Sequence, residues 1–215
     1  MCFSQGEYWP IWVCRSVSRN CRITPPGRST WASKPLETVR TIDQNESGLG
    51  PRGGELWLSE HHPGWAEAFR QEAARLRLSL LPGSEVEHIG STAVPGLIAK
   101  PVLDLAARLK DSPKMTTFES TLPALGYRLR NDAGADGGRV WLRESGGERT
   151  HILHLVTRGD PQWGRWLALR DLLRQSVQAR EQYAEVKAQA TLHARNRRDY
   201  TRLKTATIQR LLAAP

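Results

Sequence analysis

The chain has 215 residues, of which 39% are hydrophobic and 25% charged, a composition typical of a globular domain that can bury its own core. Its mean hydropathy of −0.51 and the absence of an apolar run of about 18 residues argue against a membrane-spanning segment. The apolar run at residues 8–14 is short and contains Pro10, which makes it a poor secretory signal. We therefore expect a cytoplasmic protein with no membrane partner.

The formal net charge is +9, and it is concentrated in one part of the sequence. Residues 157–215 contain twelve basic and five acidic residues, whereas residues 55–156 are close to neutral. Such a positive field attracts nucleotides, other phosphates or nucleic acid. A solvated basic helix face without a partner explains the same charge equally well.

The first 54 residues differ from the rest of the chain. They contain Cys2, Cys14 and Cys21, an odd number that argues against a disulfide framework, and no Cys-x-x-Cys spacing or nearby His pair suggests zinc. They show no sustained helical or strand period. We interpret residues 1–54 as a disordered extension. Alternatively, the start codon has been assigned too far upstream, and these residues are not part of the native protein.

The sequence pattern of residues 55–156 predicts an α/β core. Helical spacing of apolar residues begins after Pro63 and stops at Pro82-Gly83, and Asp111 or Ser112 is positioned to cap a later helix. In chain order the pattern predicts a helix over 63–80, strands over 85–89 and 100–109, a helix that ends near 125, and strands over 127–130, 139–143 and 149–156.

The sequence pattern of residues 157–215 predicts a basic helical lobe of the same domain. Asp160 followed by Pro161 is a typical helix start, and this helix is predicted to run to Gln175. Two more helices are predicted over 176–194 and 197–214. The fold class is therefore α/β (α+β), with a small mixed sheet followed by a C-terminal helical lobe.

The most informative motif joins a strand end to an acid on the next strand. Gly90 lets backbone N–H groups approach an anion closely, and the Ser91 hydroxyl adds a donor. Asp104, on the following strand, could hold a metal against bound phosphates. The arrangement resembles the Gly-Ser…Asp signature of the β-type nucleotidyltransferase superfamily. The candidate phosphate contacts are Gly90, Ser91, Thr92, Lys100 and Arg149.

Longer stretches resemble the GrpB family of nucleotidyltransferase-like proteins. They are EHIGSTAVPGLIAKPVLDL, ERTHILHL, LALRDLLRQ, YAEVKAQ and DYTRLKTATI, and the resemblance extends from about Trp57 to the C-terminus. It implies a sheet of the β-type nucleotidyltransferase kind. In some bacteria such a domain is fused to dephospho-CoA kinase, which implies nucleotide or coenzyme A chemistry.

One departure from the nucleotidyltransferase pattern bears on metal binding. These enzymes usually place two acids at Asp-x-Asp on one strand face, but the second position here is Ala106. His151 and His154 are an odd number of residues apart, so on a regular strand they point to opposite faces. We expect a divalent metal, Mg²⁺ or Mn²⁺, held by Asp104 with His154 and with His88 as a further candidate ligand.

Two Tyr/Lys pairs in the lobe are candidate nucleotide contacts. Tyr183 and Lys187 lie one helical turn apart, as do Tyr200 and Lys204, so each pair shares a helix face. Each pair could stack on and neutralise a nucleotide, although amphipathic packing explains the tyrosines almost as well.

These features support three hypotheses from different classes. The first is metal-dependent transfer of a nucleotidyl group from a nucleoside triphosphate, with Ser91 and Asp104 as catalytic residues. The second is a non-catalytic module that binds a nucleotide or coenzyme A, because the second acid is missing. The third is a nucleic-acid-binding protein. We favour it least because, apart from the two Tyr/Lys pairs, aromatic residues that could contact bases do not alternate with basic residues in the sequence.

Overall fold

The structure is a computed structural model that describes residues 39–40, 48–50, 57–80, 83–110, 118–130 and 138–213. Most of the predicted extension over 1–54 lies outside the described residues, as do all three cysteines and the predicted cap at Asp111 or Ser112. A short strand, β1 (Val39–Arg40), pairs in parallel with β2 (Leu58–Ser59). The Gly48 carbonyl accepts a hydrogen bond from Trp65 Nε1 at 3.1 Å, so the described residues before 57 contact the domain that follows.

The first helix, α1 (Gly64–Ser79), covers one face of the sheet, as predicted from its apolar spacing. It buries Trp65, Ala73 and Leu76, and its one buried acid is Glu72. Leu80 ends the helix with an extended backbone and donates its N–H to the Leu76 carbonyl at 2.8 Å.

Five strands form a mixed sheet with the order β3-β4-β7-β6-β5. The pair β4–β7 is parallel and the other neighbouring pairs are antiparallel. A short helix, α2 (Phe118–Ala124), precedes β5. The predicted mixed sheet is confirmed, and its strands are β3 (Glu85–Ile89), β4 (Leu103–Leu109), β5 (Tyr127–Leu129), β6 (Arg139–Ser145) and β7 (Glu148–Thr157).

The interior strand β4 is covered on both faces, which explains its nearly continuous apolar sequence. Leu103, Leu105 and Leu109 belong to the main core together with α1 and α2. On the opposite face, Ala106 packs in a smaller cluster with Ile89, Val156 and Trp163. One face of β4 therefore packs against the layer that contains α1 and α2, and the other face packs in the cluster that contains Trp163.

The helical lobe follows the sheet and lies against this second face. The predicted helices are confirmed as α3 (Pro161–Gln175), α4 (Val177–His193) and α5 (Arg197–Ala213). Asp160 caps α3 by accepting the Gln162 N–H at 2.8 Å. Arg170 ties α3 to the sheet by donating to Glu87 Oε2 at 2.7 Å. Across the described part of the chain, no helix combines the length and apolarity needed to cross a bilayer.

Candidate functional site: a cationic cavity between sheet and lobe

A cavity of about 380 Å³ opens between the sheet and the helical lobe. Its walls come from the ends of β3 and β4, from β7, and from one face of each lobe helix. The site residues predicted from the sequence meet here with one exception, His88. Those that line the cavity are Gly90, Ser91, Thr92, Lys100, Asp104, Arg149, His154, Tyr183, Lys187, Tyr200 and Lys204.

Gly90 and Asp104 are in close contact across the β3–β4 pair. Ile89 and Asp104 are register partners, so Gly90 leaves the strand directly beside the acid. Its backbone has φ +69 and ψ −169, a region open essentially to glycine alone. A Cβ at this position would lie 2.4 Å from Asp104 Oδ2. Glycine is thus required both by the backbone and by the carboxylate.

The loop that follows Gly90 forms a single 3-10 turn over Ser91–Ala93. The Thr92 hydroxyl forms a hydrogen bond with His88 Nε2 at 3.0 Å, and Arg174 Nε donates to the Ala93 carbonyl at 2.9 Å. The loop is therefore held from the sheet on one side and from α3 on the other.

Three lysines converge in the cavity, and tyrosine rings hold them in place. Lys100 Nζ lies 3.3 Å from the centroid of the Tyr200 ring, and Lys204 Nζ lies 4.8 Å from the same centroid. Lys187 is 1% exposed and donates its ammonium hydrogen bond to the Ile98 carbonyl. The rings of Tyr183 and Tyr200 are buried, so base stacking on them stays a prediction.

The electrostatics of the cavity centre on Asp104. Burial raises the pKa of this carboxyl to about 6, against the opposing charges of Lys204, Lys187, Lys100 and Arg149. Burial also holds the pKa of Lys187 well below its usual range, and the charges of Lys204 and Lys100 add to this effect. Of the described residues that line the cavity, Asp104 is the one acid, and Arg170 among the basic ones is ion-paired with Glu87 and Asp171.

The histidines predicted as metal ligands are separated. His154 lines the cavity with its ring 4.9 Å from that of Trp166, and burial lowers its pKa to about 4. His88 instead stacks on Phe69 at 4.7 Å and bonds to Thr92. His151 lies on the opposite face of the sheet from His154, in a network with Arg143.

The donor set does not fit a divalent cation held by the protein. Of the described residues, no group of three or more His, Cys, Asp or Glu side chains is arranged to hold a metal. Ala106, at the second acid position, is fully buried among apolar side chains. Mg²⁺ and Mn²⁺ favour several oxygen ligands, whereas Asp104 is the one acid among the described lining residues. Metal binding therefore stays a prediction without geometric support.

One wall of the cavity was not predicted as part of the site. Trp166, Leu169, Arg170 and Leu173 line it from α3, and Arg130 lines it from the residue after β5. The α3 residues follow i, i+3, i+4, i+7 spacing, which indicates a single helix face. That signal predicts a buried face, but it does not show that the face borders a cavity rather than a filled core.

Comparison with known proteins shows which protein family the chain resembles. The model of the GrpB protein family matches residues 55–214. The UPF0157 protein BH1888 of Halalkalibacterium halodurans is 33% identical over 193 residues, which cover 87% of this chain and 96% of that protein. The glutamate-rich protein GrpB of Alkalihalophilus pseudofirmus is 27% identical over 172 residues, covering 76% and 98% of the two chains.

A solved structure agrees with this assignment. The crystal structure of conserved protein GrpB from Enterococcus faecalis matches with a TM-score of 0.63 and 29% identity, over 72% of this chain and 96% of that chain. The Cid1 poly(U) polymerase bound to Mg 3′-dATP gives a TM-score of 0.46 at 14% identity, over 65% of this chain and 47% of its own, a likeness too distant to bear on function. The chain belongs to the GrpB family.

Proposed function

We propose that the chain binds a nucleoside triphosphate, or another phosphorylated small molecule such as coenzyme A, in the cavity between sheet and lobe. The observation that carries this proposal is the balance of charge. Among the described residues that line the cavity, six are Lys or Arg and one is an acid. Ammonium and guanidinium groups are the strongest side-chain partners of phosphate.

The size and the remaining surface of the cavity agree with a small-molecule ligand. A volume of about 380 Å³ lies within the usual range for such sites. Trp166, Leu169 and Leu173 on α3 provide an apolar wall, and Ile208 extends it from α5. This wall suits the apolar part of a ligand whose phosphates lie among the cations, as in a nucleotide or a coenzyme A.

Thermal unfolding of the full chain tests this proposal. We expect ATP, GTP, CTP, UTP or coenzyme A to raise Tm, because a ligand at a hundredfold excess over Kd stabilises the native state by about 2.7 kcal/mol. Lys204→Gln should reduce the rise to about half, whereas Lys110→Gln, which replaces an exposed lysine outside the cavity, should keep it. A Tm that none of these compounds changes would overturn the proposal.

Nucleotidyl transfer is the second candidate, and the contact between Gly90 and Asp104 favours it. In this contact the Asp104 carboxylate lies beside Gly90, where the Gly-Ser loop begins. Transfer would form a bond between an acceptor oxygen and the α-phosphorus and would release pyrophosphate. With its pKa near 6, Asp104 is suited to take the proton of the acceptor near neutral pH.

Release of pyrophosphate separates the two candidates. The full chain and Asp104→Asn would be incubated with each triphosphate in EDTA, Mg²⁺ and Mn²⁺. Release by the wild type that is lost in Asp104→Asn supports transfer. Nucleotide affinity without release by either protein leaves a binding module.

A further inference from the structure

We infer that the cavity holds the phosphate groups of its ligand without a divalent metal, with the side chains of Lys100 and Lys204 in place of the ion. This inference rests on the proposed function, because it concerns how the same cavity holds phosphate. It differs from the metal-assisted scheme predicted from the sequence, and it follows from three features of the site.

The first feature is that the lysine side chains are held in fixed positions. Lys100 and Lys204 both lie over the ring of Tyr200, at 3.3 and 4.8 Å from its centroid. The aromatic ring is neutral, so it holds both amino groups without itself cancelling their positive charge. A phosphate entering the cavity meets cations that need little reorganisation.

The second feature is that a divalent cation would enter a repulsive field. Asp104, the acid that would hold the ion, interacts electrostatically with Lys204, Lys187, Lys100 and Arg149. Positive charges at these positions oppose the approach of a doubly charged ion to Asp104. The position that supplies a second carboxylate in the nucleotidyltransferase pattern is Ala106, which is buried in the apolar cluster beside α3.

The third feature sets the sign of the effect of Asp104 on binding. Asp104 lies against Gly90, at the loop that should receive the phosphates, so its negative charge faces theirs. Without a metal between them, like charges repel, and the carboxylate weakens binding. With a metal between them, the same carboxylate would strengthen it. Replacing Asp104 by a neutral residue of the same shape therefore distinguishes the two arrangements.

Calorimetric titration of the full chain provides the test. ATP and inorganic tripolyphosphate would be titrated in EDTA and in excess Mg²⁺ into the wild type, Asp104→Asn, Lys204→Gln and the control Lys110→Gln. We expect the wild type to bind at least as tightly in EDTA as in Mg²⁺. We expect Asp104→Asn to bind about fivefold more tightly, Lys204→Gln to bind about tenfold more weakly, and Lys110→Gln to match the wild type.

The opposite results would overturn the inference. Tighter binding in Mg²⁺ than in EDTA, or weaker binding by Asp104→Asn than by the wild type in Mg²⁺, would show that a metal bridges protein and phosphate, and the proposed function would stand. The absence of binding in both conditions would overturn the proposed function together with this inference. The comparison of EDTA with Mg²⁺ uses the wild type alone, so it does not depend on any variant folding.

Discussion

Gly90 lies against Asp104 at the edge of the cavity, with no room for a side chain between them. Two constraints act on the glycine, because its backbone has positive φ and its missing side chain makes room for the carboxylate. Gly96 experiences only the first constraint. Its φ is +74, but a Cβ added there would meet nothing within 4 Å. The two glycines therefore form a matched pair for measuring what the close contact contributes.

We predict that Gly90→Ala lowers the free energy of unfolding by about 3 kcal/mol, and that Gly96→Ala lowers it by about 1 kcal/mol. The difference arises because the new Cβ must displace the Asp104 side chain in one variant and meets open space in the other. Urea denaturation of the two full-length variants measures both values. Equal losses would mean that Asp104 moves aside at no cost.

The sequence predicted both Gly90 and Asp104 as site residues. For Gly90, however, the reason given by the motif differs from the one that the structure adds. The motif suggested that glycine allows the backbone to approach a phosphate. The structure shows that it also allows the backbone to approach Asp104. A contact between neighbouring strands depends on their register, which no local pattern reveals. The same limit explains why Tyr200 could be paired in advance with Lys204 on its own helix but not with Lys100, which comes from a distant part of the sequence.

At the scale of elements, a polar network fastens α1 to the sheet on the face away from the cavity. Glu72 is 3% exposed and accepts hydrogen bonds from Tyr127 at 2.9 Å and from Arg143 at 2.6 Å. Arg143 also bonds to His151 Nε2 at 3.1 Å, and His151 bonds to Thr150. This network joins α1 to β5, β6 and β7. It explains the single acid on an otherwise apolar helix face.

We predict that Glu72→Gln lowers the free energy of unfolding by about 3 kcal/mol at neutral pH, because it leaves Arg143 without its buried counter-charge. Burial tends to raise the pKa of Glu72, but Arg143, Tyr127 and His151 outweigh it and hold that pKa below its ordinary value. The stabilisation is therefore present above the ordinary pKa of a glutamate and is lost as pH falls through the lower, folded-state value.

Urea denaturation as a function of pH checks this prediction. The wild type should lose stability in acid more steeply than Glu72→Gln. The control is Glu67→Gln on the same helix, because Glu67 pairs with Arg70 at the surface and should contribute less than about 1 kcal/mol. A variant Glu72→Gln with the same acid slope as the wild type would contradict the role of this carboxylate.

The helices and strands followed from the sequence because their signals are local. The predicted helix over 63–80 is observed as Gly64–Ser79, and Asp160 caps α3 as expected. The strand predicted from residue 100 begins at Leu103 instead. Pro101 lacks a backbone N–H and cannot donate to a sheet, which accounts for the later start. The cavity wall on α3 could not be predicted, because it depends on how the lobe packs against the sheet.

At the scale of the whole molecule, part of the positive charge of the lobe is directed inward. Lys187 and Lys204 from the lobe meet Lys100 from the sheet domain within one cavity. A high net charge alone does not distinguish a small anion from nucleic acid. The lobe has basic residues in both positions, because Lys187 and Lys204 line the cavity, whereas Arg165, Arg202 and Arg210 are exposed. The cavity lysines suit a ligand small enough to enter, and the exposed arginines are the residues that a nucleic acid would contact.

We predict that binding of ATP weakens only modestly as salt increases, because charges in a cavity are screened less than charges at the surface. A nucleic-acid complex with 6–10 phosphate contacts would lose about 10³–10⁵ in affinity between 50 and 200 mM salt. Titrations of the full chain with ATP and with a single-stranded oligonucleotide over a salt series measure both slopes. A steep slope for the oligonucleotide with tighter binding than ATP would favour nucleic acid instead.

The lining of the cavity comes from distant parts of the chain, and this has a consequence for synthesis. The loop after β3 and the strand β4 emerge early from the ribosome, whereas Lys204 and Ile208 on α5 emerge late. The sheet can pair its strands once Thr157 is available, long before the last wall of the cavity exists. A nascent chain could therefore form its hydrophobic core while the cavity is still open on the side that the lobe later covers.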